Sequence, residues 1–273
     1  MEYLQAFVLG IVQGITEFLP ISSTAHLIIF THALGWKTLW TKSALDGIQF
    51  GSVLAVILYF RQDILKIIVG SWAAFQNKTW DREEWKILLG IGIGTLPVLI
   101  GGFFKKRLPE SSQALLDGVL AIAIASTIAA ILLGVAESLG KRKRGFDRLE
   151  IKDGILVGLW QAEALIPGVS RSGATLTTAL FLGLERQTAA RFSFLLGIPA
   201  LAIATLVQAQ EALGNPQLLM PLIVGMISAF IFSYISIAWL LRYLQTQNTW
   251  VFVWYRLALG SCLFLGIALG QLK

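Results

Sequence analysis

QGITEFLPISSTAHL, residues 13–27, sets a carboxylate, four hydroxyls and one of the chain's two histidines around a proline, in surroundings that are otherwise apolar. A proline cannot extend a helical ladder, and it pushes the residue before it out of the α region. The apolar stretch is therefore cut at LPISS into two half-length helices, roughly 3–18 and 21–34. A second stretch behaves in the same way: IPGVSRSG separates short apolar segments near 154–166 and 174–184. One crossing of a bilayer takes ~20 residues, so neither pair is long enough to cross twice. Each pair reads as a re-entrant hairpin that enters and leaves on one side and carries its polar residues at the tip.

The rest of the chain supplies the membrane. Of its 273 residues, 56% are hydrophobic and 14% charged, with a mean hydropathy of +0.72, against about 25% charged in soluble domains. Residues 87–104, 118–136, 192–210 and 217–241 contain no Asp, Glu, Lys or Arg. Residues 47–60 and 249–272 complete a set of six expected full spans. All are expected to be helical, because lipid requires each segment to satisfy its own backbone. The fold class is thus an all-α polytopic membrane protein, with about six full transmembrane helices and two re-entrant hairpins. The opening MEYLQ lacks a basic n-region, so no cleavable signal peptide is expected. The single Cys262 cannot pair within the chain, and no Cys/His cluster suits zinc.

At a constant shift of 148, Gly10, Gln13 and Ser22 fall on Gly158, Gln161 and Ser170. Each hairpin is followed by three long spans, so the chain reads as one integral membrane domain of two halves, about 1–140 and 150–273. An odd number of crossings per half gives the halves inverted topology, and their broken tips meet near the midplane. Counting basic residues orients the whole. Lys37, Lys42, Lys105, Lys106, Arg107 and Lys273 lie on the side from which the first hairpin enters; fourteen of the 22 lie on the other, including KRKR at 141–144. The richer side is expected to be cytoplasmic. This pattern also explains the net charge of +6 without nucleic acid.

The first tip offers Gln13, Glu17, Ser22, Ser23, Thr24 and His26; the second offers Gln161, Glu163, Ser170, Arg171, Ser172 and Thr175. An ionisable group at mid-membrane costs at least ~2.5 kcal/mol and usually marks function. Arg171 carries a permanent cationic fork suited to phosphate. The glycines and hydroxyls of PGVSRSGAT, at the start of a helix, form an anion cradle. Glu17 beside a phosphate calls for a hard divalent cation, Mg²⁺ or Ca²⁺, held by Glu17 and the Gln13 carbonyl. Ser23 and His26 are one helical turn apart, a spacing that lets an imidazole act on a hydroxyl or a water. The structural alternatives are a Glu17–Arg171 ion pair joining the hairpins and serines that only cap helices. His32 is read as structural. Asp46, Glu163 and Arg256 are left without a role.

These motifs resemble those of the undecaprenyl-diphosphate phosphatase (UppP/BacA) family of bacterial membranes. The carriers are QGITEFLPISSTAHL and ALIPGVSRSGATLTTALFLGL, with IQFGSVLAVILYF and RFSFLLGIPA after them, and the likeness extends over the whole chain. Gln13 and Glu17 match the family's (Glu/Gln)-x-x-x-Glu pattern, this chain taking the Gln option. Pro167, Gly168, Ser170, Arg171, Ser172 and Thr175 complete PGxSRSxxT. The resemblance implies removal of the terminal phosphate from the C55 isoprenoid diphosphate, which recycles the lipid carrier for peptidoglycan synthesis. It also implies a divalent cation and a site at the outer face of the inner membrane. Carried over, Glu17, Ser23, His26 and Arg171 are the core site, with Ser22, Thr24, Ser170, Ser172 and Thr175 binding substrate. Ser23, His26 or a water remains open as the nucleophile. The expected partners are the lipid substrate and the bilayer, with a homodimer as a further expectation. The rival reading is a lipid flippase or anion transporter without hydrolysis.

Overall fold

The structure is a computed structural model that describes residues 1–36, 38–212, 218–270 and 272. Lys37, Lys273 and most of the connection between the expected spans 192–210 and 217–241 lie outside the described residues. The described chain is helical: α1 (Glu2–Phe18), α2 (Ser23–Ala33), α3 (Lys42–Tyr59), α4 (Arg61–Gln76), α5 (Glu83–Lys105), α6 (Glu110–Leu116), α7 (Val119–Leu139), α8 (Ile151–Gln161), α9 (Arg171–Phe181), α10 (Arg186–Ala212), α11 (Leu219–Thr246) and α12 (Trp250–Ala268). Five of these, α5, α7, α10, α11 and α12, are long and apolar enough to cross a membrane. The sixth expected span is a continuous helix, α3, of 18 residues. Its first half carries Lys42, Asp46 and Gln49, which makes it less apolar than the other five.

Glycines let the two broken-helix pairs lie against long neighbours. α1 packs along α11, where Gly10 meets Gly225 and Ser228, and Gly14 meets Ala229 and Phe232. α8 packs along α5, where Gly154 and Gly158 meet Gly90 and Gly94. A Cβ at Gly10, Gly14, Gly94, Gly154 or Gly158 would run into a neighbour's backbone, so the helix axes approach more closely than side chains would allow. α3 and α10 pack together at the centre, and α12 lies along α7. The main core, with Phe18, Phe60, Phe192 and Phe194, fills the space beneath the tips. Phe18 and Phe194 meet edge to face with ring centroids 5.3 Å apart.

Two sequence expectations change. Residues 61–86, left as a connection between the expected spans 47–60 and 87–104, contain α4, and Trp72, Phe75, Trp80 and Trp85 cluster along it and after it. The helix escaped notice because charges at both ends of a short apolar run resemble a loop. KRKR, read only as an orientation signal, is also structural. Arg144 forks onto the fully buried Asp153 at 2.6 and 2.8 Å, and this bonding holds its guanidinium above its ordinary pKa. Arg142 and Arg186 both reach the buried Glu137, which Thr249 also bonds.

Candidate active site

Both tips are built the same way. Ser22 and Ser170 have φ of 73° and 70°, a left-handed conformation that serine rarely adopts. Each is the N-cap of the following helix: Ser22 Oγ accepts from the Ala25 N–H at 3.4 Å, and Ser170 Oγ accepts from the Gly173 N–H at 3.2 Å. The sharp turn lets α2 and α9 begin at once. Their first residues, Ser23 and Thr24 on one and Arg171 on the other, line one cavity of about 180 Å³ together with Glu17, Ser22 and Ser170. The positive ends of two helices thus open on the same space, an arrangement that favours an anion.

Glu17 is the hub. It is 8% exposed and is the carboxylate lining that cavity. Oε2 accepts from Gln13 Nε2 at 3.0 Å and from Ser23 Oγ at 2.7 Å. Oε1 faces Arg171 Nη2 at 3.4 Å. Ser23 therefore already donates its proton toward a carboxylate, the geometry of a nucleophile beside a base. Among the described residues, the Arg171 side chain makes that one long bond, and its buried Nε is unpartnered.

Other expected residues face elsewhere. The proposed Ser23–His26 contact is not formed. His26 Nδ1 lies 2.7 Å from Ser22 O and Nε2 lies 2.6 Å from Tyr255 Oη on α12. A carbonyl cannot donate, so Nδ1 carries a proton; in the neutral ring the Tyr255 hydroxyl then donates to Nε2. The Ser172 hydroxyl reaches Leu19 O at 3.0 Å and Glu17 O at 3.3 Å, tying one tip to the other. Thr175 bonds Arg171 O and Ser172 O within its own helix and does not line the cavity. Gln161, the counterpart of Gln13, is fully buried with neither amide atom partnered among the described residues. Glu163 is exposed in a 3₁₀ turn.

The small cavity continues into one of about 900 Å³, with Ser23, Thr24, Gln49, Val98 and Pro167 lining both. Gln13, Asp46 and His32 line the larger one. So do apolar residues of α5 and α10, and a polar group formed by Lys42, Lys105 and Asp117. Lys105 Nζ donates to Asp117 at 3.0 Å and to Leu165 O, in the second turn, at 2.7 Å.

Among the described residues, no three His, Cys, Asp or Glu side chains converge to cage a metal. The donors fit a cation shared with a ligand instead. Glu17 supplies one carboxylate, and the Gln13 amide oxygen is not used in its bond to Glu17. Mg²⁺ commonly binds through one or two carboxylates plus substrate phosphates.

A profile of the family described as "Bacitracin resistance protein BacA" matches residues 6–262. The chain belongs to the BacA family. An undecaprenyl-diphosphatase from Thermosynechococcus vestitus is 57% identical over 271 residues, covering 99% of this chain and 98% of the relative. Others so named, from Synechococcus sp. (strain JA-3-3Ab) and Trichodesmium erythraeum, are 51% and 48% identical over the whole chain and cover 97% and 88% of those relatives. Sequence reasoning missed Tyr255, Gln49 and Lys105, and it left Arg256 without a partner. No signal near the two motifs points to them, because α3, α5 and α12 reach the tips only in the folded chain.

Proposed function

We propose that the chain is an undecaprenyl-diphosphatase, hydrolysing the C55 isoprenoid diphosphate to undecaprenyl phosphate and inorganic phosphate. Membership of the family supports the reaction, and the 2.7 Å contact of Ser23 with Glu17 at the mouths of two helices carries the mechanism. The terminal phosphate sits between the N-termini of α2 and α9, with the Arg171 fork on its oxygens. Ser23 Oγ attacks phosphorus and passes its proton to Glu17 as the bridging P–O bond breaks and undecaprenyl phosphate leaves. Water then cleaves the phosphoserine, releasing inorganic phosphate and restoring the hydroxyl. Most of the barrier reduction comes from donors already aimed at the phosphoryl oxygens. A Mg²⁺ or Ca²⁺ ion held by Glu17, the Gln13 carbonyl and substrate would neutralise developing charge there. His26, bonded to Tyr255, is a support of α2 in this scheme rather than the base.

In the bilayer, α3 joins the five apolar helices as a sixth crossing. The pairs α1–α2 and α8–α9 are re-entrant from opposite faces, making an inverted repeat of halves near 1–140 and 150–273. The matching turns at Ser22 and Ser170 support this, as does the packing of α1 on α11 and α8 on α5. The large cavity is lined by Lys42 and Lys105, which the charge count puts on the face with fewer basic residues. That supports a site reached from the outer face of the inner membrane, with the apolar walls of α5 and α10 receiving the isoprenoid chain. All the site residues come from one chain, and no observation carries the expectation of a homodimer. A flippase without hydrolysis would have no use for a serine already bonded to a carboxylate.

The test is phosphate release from a long-chain isoprenoid diphosphate in detergent. Glu17→Ala, Ser23→Ala and Arg171→Ala are each expected to lower the rate by at least ~10²-fold, and EDTA to abolish it until Mg²⁺ or Ca²⁺ is returned. Folded wild-type protein that releases no phosphate under any of these conditions overturns the reading.

A further inference from the structure

Arg256 is fully buried, lies in the middle of α12 and forms no ion pair among the described residues. No residue of α12 lines either cavity of the site. A buried cation without a carboxylate is costly, so its neighbours indicate what it is for. Nη2 donates to Gly168 O at 2.7 Å and to Val169 O at 2.9 Å, and Nη1 reaches Pro20 O at 3.4 Å. The first two carbonyls immediately precede Ser170 and Arg171, and the third belongs to the turn that leads into Ser22 and Ser23. These carbonyls lie where each chain leaves helical geometry, and a buried carbonyl needs a donor. A planar fork with five N–H groups can serve three carbonyls on two segments from two separate nitrogens; an ammonium has its three donors on a single atom, and an amide has only two.

Two further observations agree. Gly173, in the first turn of α9, has no side chain where a Cβ would come within 2.8 Å of Arg256 Nη1. The residue before Arg256, Tyr255, bonds His26 on α2, and their rings stack at 5.6 Å. Two consecutive residues of α12 therefore grip both hairpins from behind the cavity.

We propose that Arg256 is a positioning residue that sets the two tips in register, so that Arg171 of one faces the Ser23–Glu17 pair of the other. It touches no substrate and acts through the backbone of both turns. The kinetic part rests on the phosphatase reading; the exchange part does not.

Arg256→Lys, Arg256→Met and Gly173→Ala are prepared in lipid nanodiscs. Hydrogen exchange is followed in peptides covering 18–26 and 166–174, and kcat and KM are measured with a long-chain isoprenoid diphosphate. Arg256→Met is expected to speed exchange in both tip peptides together by at least ~10-fold, with α3 and α11 unchanged, and to lower kcat by ~10²-fold while KM moves less than ~3-fold. Arg256→Lys, able to serve one tip at a time, should fall between it and wild type. Gly173→Ala keeps the charge but crowds the fork and should lower kcat in the same way, which preserves the test if Arg256→Met does not fold. Unchanged exchange at both tips in the lysine and alanine variants overturns the proposal. So does a loss confined to KM, which would make Arg256 a substrate-binding cation. If wild type releases no phosphate, the exchange result alone decides.

Discussion

Replacing Gly197 by Ala tests whether the position of Arg171 matters, without touching any group that does chemistry. Gly197 lies in α10 directly against the Arg171 guanidinium. An added Cβ would overlap Nη1 and sit 2.8 Å from Cζ. Carbon contacts are comfortable at about 3.5 Å or more, so the guanidinium must retreat by roughly 0.7 Å at Cζ and further at its tip. Its bond to Glu17 is already 3.4 Å long and will not survive that movement. Misplacement by about 1 Å, or loss of one donor aimed at the transition state, costs ~10² or more in rate. The fold should suffer little, because the obstacle is the end of a flexible side chain. Alanine is also a better helix former than glycine by up to about 1 kcal/mol. The expected outcome is a ~10²-fold fall in kcat/KM for phosphate release, with the thermal midpoint in detergent within a few degrees of wild type. A variant within about threefold of wild-type activity would refute the assignment of Arg171 to the phosphoryl group.

Other substitutions separate structure from chemistry. Gly94→Ala drives a Cβ into the backbone of Gly154, which cannot swing aside, so a stability loss of about 1–3 kcal/mol is expected in thermal melts. Thr175→Val removes a hydroxyl that bonds only backbone carbonyls of its own helix, and kcat should change by less than about threefold. Glu137→Gln leaves Arg186 and Arg142 short of a buried partner; a destabilisation of about 3–5 kcal/mol is expected, with activity per folded molecule near normal because the pair lies outside the cavity.

The breaks in the helices were legible from single residues, because Pro20 and Pro167 act on their own neighbours. The counterpart positions Ser22 and Ser170, read only as a weak repeat, have the same backbone turn. Local chemistry also placed Glu17, Ser23 and Arg171 at the tips, and the fold brings these three together. The His26 contact failed because helical spacing gives only the face of α2. The partner of that face, Tyr255, lies 229 positions away.

The sequence by itself determined the membrane solvent, the helical class, the two broken pairs and the chemical types gathered at their tips. Each of these follows from hydropathy or from the backbone limits of proline within a few residues. The tertiary structure alone decided which of those side chains face the cavity and which face another helix. It also decided that Glu17 rather than His26 holds the Ser23 proton, and that α12 braces the turns with Arg256. Those outcomes depend on how helices far apart in the chain pack, and packing is set by shape complementarity that no local pattern encodes.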